Sequence, residues 1–330
     1  MGYPPHLVNL LANLYKSQRA SVQIAGVMSE RFSIRKGVRQ ECILSPYLFN
    51  IVSETVMRKA LEGFQGGISI GGRKISNLRY ADDIVLLASS VEELQELVSR
   101  ISRIGKEYNL LINSSKTKAM ALKGESVSIL IDGEEIEQVH KFPYLGSVIT
   151  DDATSEADFK HRLALGTAVM AKLKPLWNSH ALTLKSKITM CRTLVWPVVA
   201  YGCEGWTLRK PEESRLQACE MKMLRQILGI SWQEHKTNES ILQENGYTQE
   251  LLTSIKRRKL TYAGHIVRSQ NSLEKTVMQG RVPGKRSRGR PRKSWMDNIT
   301  EWTGLSAERV ERMAHDRVEW RKIVRNAAKP

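Results

Sequence analysis

Two adjacent aspartates, Asp82 and Asp83, are the residues of this chain whose type and spacing most suggest chemistry. They precede an apolar, strand-like run, 84–88, so burial beside that strand would make their mutual repulsion costly unless a cation lay between them. Carboxylate oxygens suit Mg²⁺, which proteins often share with substrate phosphates, and two such ions about 4 Å apart can promote phosphoryl or nucleotidyl transfer. The pair therefore indicates a metal site, although aspartates also serve simply as turn residues.

A tight turn is the element that must position these carboxylates, because neighbouring residues within a strand point to opposite faces of a sheet. Ala81, Asp82 and Asp83 fall between two apolar strands, and the pattern therefore predicts a strand–turn–strand. We expect the turn to bring both carboxylates to one place.

Residues 1–150 alternate predicted helices and hairpins, which is the pattern of an antiparallel α+β sheet. The helices are expected over 7–15, 45–61 and 90–109, the last beginning with a Ser90/Glu93 capping box. Hairpins are expected over 21–37, 67–76 and 128–139, with a further strand over 144–150.

The chain beyond residue 150 is predicted to be mainly helical. The predicted helices are 156–177, 184–195, 211–228, 249–267 and 307–327. We therefore expect three regions: a mixed region over 1–150, a helical region over 151–230, and a basic helical region over 231–330.

Charge is the most informative overall property of the sequence. Lysine and arginine number 51 against 34 acidic residues, and residues 151–330 carry a net +14 against +3 for residues 1–150. This asymmetry suggests a polyanionic partner, first of all nucleic acid, with a merely soluble basic surface as the alternative. The four cysteines are scattered and do not suggest a zinc site. No membrane span or signal peptide is predicted, so we expect an intracellular protein, in the nucleus or cytoplasm.

Four motifs occur in order between residues 37 and 149. They are GVRQECILSPYLFN (37–50), YADDIVLLAS (80–89), LLINSSKTKAM (110–120) and YLGSVI (144–149). The series resembles the reverse transcriptases of non-LTR (LINE-type) retrotransposons. A looser similarity continues through YGCEGWTL (201–208), HIVR (265–268) and GRPRKSWMDNI (289–299).

The resemblance implies an RNA-directed DNA polymerase, which extends a DNA primer on an RNA template from deoxynucleoside triphosphates. It implies that residues 1–150 are part of the polymerase palm and that residues 151–230 correspond to a thumb. The implied cofactor is Mg²⁺, with Mn²⁺ as a substitute. The oligomeric state is not predicted.

The resemblance also assigns roles to individual residues. Asp82 would be the principal Mg²⁺ ligand, supported by Asp83. Tyr80 and Ala81 would lie against the primer end. Two further residues match the family's motifs: Gln40, which would sit near the template and incoming nucleotide, and Lys116, which could protonate the pyrophosphate leaving group.

Two departures from the family pattern lead us to expect no polymerase activity from this polypeptide alone. The family uses a third carboxylate from an upstream Asp-x-x-x-Ala-Phe-Asp box, and no such sequence occurs here. Glu41 also replaces the glycine of the family's Arg-Gln-Gly, which would bring bulk and negative charge close to phosphates. The alternative hypothesis is a non-catalytic remnant that binds nucleic acid.

A basic segment, 281–293, holds seven basic residues and no acid, and we expect it to be flexible. Its candidate nucleic-acid contacts are Arg286, Arg288, Arg290, Arg292 and Lys293. Arg-Gly-Arg-Pro within it resembles an AT-hook, which inserts arginines into the minor groove of A·T tracts. A solvated linker, a nuclear-localisation signal or a phosphate-binding arm would explain the segment equally well.

Overall fold

Helices and two-stranded antiparallel sheets make up the chain, which confirms the predicted α+β class. The structure is a computed structural model and describes residues 2–270, 272–278, 289 and 292–328. The chain divides into two compact units. The first unit contains residues up to 64 together with 77–86 and 96–111, and the second contains 65–76, 87–95 and the chain from 112 onward.

The first unit is built on three helices, each close to its predicted position. They are α1 (Pro5–Tyr15), α2 (Ser45–Leu61) and the larger part of α3 (Val91–Glu107). Proline in the first turn fits the start of α1 and α2, because its missing N–H has no partner there in any case. The buried apolar residues come from two helices and are Val56, Met57, Ala60, Leu97, Val98 and Ile101. Helix α1 contributes none.

Three short hairpins complete the first unit. Their strands are β1 (Arg19–Ala20) with β4 (Phe32–Ser33), β2 (Gln23–Ile24) with β3 (Val27–Met28), and β7 (Asn77–Tyr80) with β8 (Asp83–Leu86). Each pair is a separate two-stranded sheet rather than part of one continuous sheet.

The second unit begins with three more hairpins. Their strands are β5 (Ile68–Ile70) with β6 (Arg73–Ile75), β9 (Leu130–Ile131) with β10 (Glu134–Glu135), and β11 (Lys141–Tyr144) with β12 (Ser147–Thr150). The prediction of a single strand over 144–150 is wrong, because Leu145 and Gly146 both have positive φ and turn the chain between β11 and β12. Two consecutive residues with positive φ make the tight turn that suits strand twist.

The remainder of the second unit is helical. Its helices are α4 (Glu156–Lys172), α5 (Lys174–Trp177), α6 (Leu184–Met190), α7 (Trp196–Val199), α8 (Lys210–Leu228), α9 (Asn238–Glu244), α10 (Leu251–Arg268), α11 (Leu273–Met278), α12 (Trp295–Thr303), α13 (Ala307–His315) and α14 (Arg317–Ala327). A π-helical turn, Cys191–Val195, joins α6 to α7. Within the described ranges, no helix combines the length and apolar character needed to cross a membrane.

The prediction of one helix over 307–327 is wrong, because the chain breaks at Asp316. The Asp316 carboxylate accepts hydrogen bonds from the backbone N–H groups of Val318 and Glu319, at 2.8 and 3.1 Å. It therefore caps a new helix, and an aspartate in this role satisfies donors that would otherwise have no partner.

Two apolar cores organise the helical part of the second unit, and α10 contributes to both. The first core includes Phe159, Trp177, Val199, Trp206, Leu216 and Ile255. The second includes Leu260, Ile266, Trp295, Ile299, Trp320 and Val324. Because the two halves of α10 are buried in different cores, this helix ties the C-terminal helices to those that precede it.

Candidate functional site

The predicted aspartate turn is present in the first unit. Tyr80 pairs with Asp83 across β7 and β8, which leaves Ala81 and Asp82 as a two-residue loop. Ala81 has a φ of 53°, so it lies in the left-handed region that costs a residue with a side chain about 1 kcal/mol or more. Strained backbone of this kind is found at functional sites more often than elsewhere.

The Ala81–Asp82 loop differs from the other two-residue hairpins in the described residues. The others have positive φ at both central residues with glycine second: Ala25–Gly26, Gly71–Gly72, Asp132–Gly133 and Leu145–Gly146. In the aspartate hairpin only the first central residue has positive φ, as in type II′ turns. Because Asp82 needs no left-handed backbone, a carboxylate can occupy a position at which the other loops carry glycine.

Both carboxylates are exposed, and so is much of the hairpin around them. Tyr80 is 65% exposed and Ile84 is 37% exposed. The expectation of a buried strand beside the pair is therefore wrong, because β7 and β8 form a sheet of their own, and no third strand of the described residues pairs with it. Water screens the repulsion between exposed charges, so repulsion alone does not require a bound cation here.

An ion-pair chain anchors the strand that leads into this turn. Arg79 lies 2.7 Å from the carboxylate of Glu54 on α2, and Arg58 pairs with the same carboxylate at 2.6 Å. Hydrogen bonds from Arg58 and then Arg79 lower the pKa of Glu54. The hairpin is thus tied to α2 through its first strand, which leaves the turn and its carboxylates open.

The chemistry of the donor set fits Mg²⁺ only in part. Asp82 and Asp83 offer carboxylate oxygens, which Mg²⁺ prefers, but a two-ion site also needs bridging oxygens from another direction. Among the described residues, no three His, Cys, Asp or Glu side chains form a group that could hold a metal. The described part of the chain therefore supplies a fragment of such a site.

Gln40 lies in the same unit, in a turn between β4 and α2. The loop is held by buried Ser45, whose hydroxyl donates to the carbonyl of Arg39 at 2.5 Å. The next residue, Glu41, has a φ of 59°, a backbone conformation that glycine adopts without strain. The backbone conformation therefore explains why the family motif has a glycine at this position. Glu41 adopts this conformation although its side chain makes it unfavourable.

Lys116 belongs to the second unit, in a turn that follows Asn113. The Asn113 side chain accepts a hydrogen bond from the backbone N–H of Lys116 at 3.1 Å, and its carbonyl accepts one from Thr117 at 3.0 Å. The Lys116 side chain is exposed and forms no ion pair in the part of the chain that the structure describes. Its suggested role toward phosphates stays a prediction.

Of the predicted basic contacts, Arg286, Arg288 and Arg290 lie outside the described residues, as does most of the 281–293 segment. Arg292 is exposed and donates to the carbonyl of Asp152 at 3.0 Å. Lys293 pairs with Glu301 at 2.5 Å and is half-buried, which limits its availability to another partner.

A buried lysine network is the feature that the sequence analysis missed. Lys259 is completely buried on α10, where its ammonium group donates to the carbonyl of Trp206 and, at 2.8 Å, to the side chain of Asn298. The rings of Trp295 and Trp302 lie 5.0 and 5.3 Å from it. These contacts hold a buried charge that would otherwise be strongly unfavourable.

Asn298 extends this network to the backbone of Leu208. It accepts from the Leu208 N–H at 2.7 Å and donates to the Leu208 carbonyl at 2.6 Å. The network therefore connects two of the segments with looser similarity to the family, 201–208 and 289–299. This contact gives both segments a structural role. The signal available in the sequence was the Ser294/Asp297 capping box, which marks the start of α12.

Comparison with known proteins finds similarity to reverse transcriptases, most specifically over residues 1–149. A family model described as reverse transcriptase (RNA-dependent DNA polymerase) matches residues 1–149. An uncharacterized transposon-derived protein of Caenorhabditis elegans is 28% identical over 276 residues, covering 78% of this chain and 97% of that protein.

Two longer proteins are also similar. The RNA-directed DNA polymerase from mobile element jockey of Drosophila funebris is 23% identical over 69% of this chain. The Pol polyprotein from a type-1 R2 retrotransposable element of Nasonia vitripennis is 29% identical over 52% of it. The chain spans only 26% and 18% of these two proteins. With the four ordered motifs, these matches support a reverse transcriptase domain at residues 1–149 that is similar to those of non-LTR (LINE-type) retrotransposons.

Proposed function

We propose that the Asp82–Asp83 turn is the acidic part of the divalent-metal site of an RNA-directed DNA polymerase, with Mg²⁺ as the ion and Mn²⁺ as a substitute. We also propose that the 330-residue polypeptide, tested by itself, binds an RNA template and DNA primer without extending the primer. The observation that carries the first part is the two-residue loop, which presents both carboxylates of the Tyr-x-Asp-Asp motif to solvent.

The proposed roles follow from position and chemistry. Asp82 and Asp83 would hold the ion, which when bound would neutralise charge on the phosphates of the nucleotide. Tyr80, exposed beside the turn, would lie against the primer end. Gln40 would contact the template and incoming nucleotide, and Lys116 would act on the nucleotide phosphates as a proton donor.

Two observations support binding without extension. Two carboxylates from a single turn leave the other side of each ion without protein ligands, and the described residues bring no third ligand to them. Glu41 adds a negative charge next to Gln40, where phosphates would have to approach. The net charge of +17 favours nucleic-acid binding independently of the reaction.

A primer-extension assay tests this proposal. The full 330-residue chain is incubated with an RNA template, an annealed DNA primer, deoxynucleoside triphosphates and Mg²⁺ or Mn²⁺, beside an Asp82→Asn variant. We expect both proteins to bind the hybrid and neither to extend the primer. Template-dependent extension by the unmodified chain that is lost in Asp82→Asn would contradict the proposed inactivity and establish an active polymerase. Absence of hybrid binding would contradict the binding function.

A further inference from the structure

Helix α14 presents a row of arginines at every fourth residue. Arg317, Arg321 and Arg325 are all exposed. Because an α-helix rises about 1.5 Å per residue, successive members of the row stand about 6 Å apart along the axis and share one side of the helix. This spacing is close to that of consecutive phosphates along one nucleic-acid strand.

The charges of this row are not neutralised within the described residues. The two acids of the same helix turn are engaged elsewhere, because Asp316 caps α14 and Glu319 pairs with Lys322 at 2.7 Å. Neither Arg317, Arg321 nor Arg325 forms an ion pair with any residue that the structure describes. Unpaired arginines at close spacing repel each other, so an anion that joins them gains more than it would at an isolated arginine.

Arg268 at the end of α10 adds a fourth charge beside the row. Its guanidinium donates to the carbonyl of Ala314 in the last turn of α13, at 2.6 Å, which fixes its position. Burial, followed by the nearby charges of Arg317 and Arg321, lowers the pKa of Arg268. Arg268 thus lies within electrostatic range of Arg317 and Arg321, and none of the three forms an ion pair with a described residue.

The side of α14 next to the arginine row is committed to the protein core. Trp320 and Val324 are buried, and the indole N–H of Trp320 donates to the carbonyl of Leu260 at 2.9 Å. The helix therefore cannot turn an apolar face toward a lipid surface, which a membrane-bound amphipathic helix requires. Its arginines are also held on a rigid support, which reduces the entropy lost on binding.

We infer that Arg268, Arg317, Arg321 and Arg325, together the arginine face, bind the phosphodiester backbone of a single RNA strand. Arginine suits this role because its planar guanidinium donates two parallel hydrogen bonds to phosphate oxygens. Contacts to phosphates alone predict binding without sequence preference. This binding surface rests on the proposed RNA-binding function, for which it names the contact residues, and it needs neither a metal ion nor primer extension.

The test compares RNA binding by the full chain and a triple variant, Arg317→Gln, Arg321→Gln and Arg325→Gln, over a range of salt concentrations. Fluorescence anisotropy of a short mixed-sequence RNA gives the affinity, and circular dichroism checks folding. A matched control removes the same charge at three lysines that already pair with glutamates: Lys160→Gln, Lys210→Gln and Lys236→Gln. A third protein carries lysine at the three arginine positions.

We expect the triple variant to bind RNA about tenfold or more weakly, with the slope of log affinity against log salt reduced by about 2, as three lost phosphate contacts require. The lysine protein should keep most of the slope, and the control should resemble the unmodified chain. An unchanged slope in the triple variant, or an equal loss in the control, would overturn the inference.

Two further outcomes separate the causes of a failure. If the unmodified chain binds no RNA, the proposed binding function fails together with the arginine face. If the triple variant loses binding to phosphatidylserine vesicles but not to RNA, the face binds anionic lipid and the inference is overturned.

Discussion

Replacing Asn298 by alanine is expected to reduce the free energy of unfolding of the helical part of the second unit by about 4 kcal/mol. The substitution removes an acceptor from the buried Lys259 ammonium group and both side-chain partners of the Leu208 backbone. These groups would stay buried without hydrogen bonds, and each such group costs about 1–3 kcal/mol.

Urea unfolding followed by tryptophan fluorescence measures this effect selectively. All seven tryptophans lie between residues 177 and 320, so the signal reports the helical region alone. Asn326→Ala on the exposed surface of α14 is the matched control and should change stability by less than about 0.5 kcal/mol. If Asn298→Ala unfolds at the same urea concentration as Asn326→Ala, the network does not stabilise this region.

The stability of the same region should rise by about 2 kcal/mol between pH 7 and pH 9. Burial lowers the pKa of Lys259 to about 7, whereas in the unfolded chain this amine has its ordinary value. The unfolded state therefore binds more protons than the native state in this interval, and stability increases with pH. Below about pH 6 the lysine is protonated in both states, so its contribution no longer changes.

The upper limit of this interval is set by buried thiols. Burial raises the pKa of Cys191 and of Cys203 to about 12, so above about pH 9 these groups ionise first in the unfolded chain and stability falls again.

Lys259→Met provides the control, since it keeps a long apolar side chain and removes the titrating amine. The variant should lose the rise between pH 7 and pH 9, whatever its absolute stability. An equal rise in the variant, or a flat profile in the unmodified chain, would assign the pH dependence to other groups.

Local signals in the sequence were sufficient for much of the fold. Prolines and a glycine set the bounds of α2 and α8, and glycine-containing pairs marked the tight turns of three hairpins. Two segments were predicted incorrectly, because the sequence of each is compatible with more than one local structure. Residues 144–150 became a turn and strand because Leu145 accepts positive φ, and 307–327 became two helices because Asp316 caps the second one.

Tertiary context accounts for what the sequence did not show. Lys259 lies in the run KRRK and was counted with the basic surface, but its neighbours in space, Trp206 and Asn298, are distant in the chain. Its helical spacing from Leu251 and Ile255 was the local signal that separates it from the exposed Arg257 and Arg258.

The candidate site was likewise predictable only in part. The tight turn at Asp82–Asp83 was predictable, because two charges between apolar strands require one. Its exposure was not, because burial of β7 and β8 depends on whether other strands pair alongside them. A metal site at this turn is therefore supported by the family motif and the turn geometry, and not by repulsion between two buried carboxylates.

Electron paramagnetic resonance of Mn²⁺ titrated into the full chain, with primer–template and nucleotide bound, measures whether the Asp82–Asp83 turn holds a divalent ion. A matched control for the double variant Asp82→Asn/Asp83→Asn is Glu134→Gln/Glu135→Gln, an exposed acidic pair beside another hairpin turn. We expect the unmodified chain to bind Mn²⁺ that Mg²⁺ displaces, the glutamate control to retain this binding, and the aspartate variant to lose it. Equal Mn²⁺ binding by all three proteins, or none by the unmodified chain, would contradict the proposed metal site.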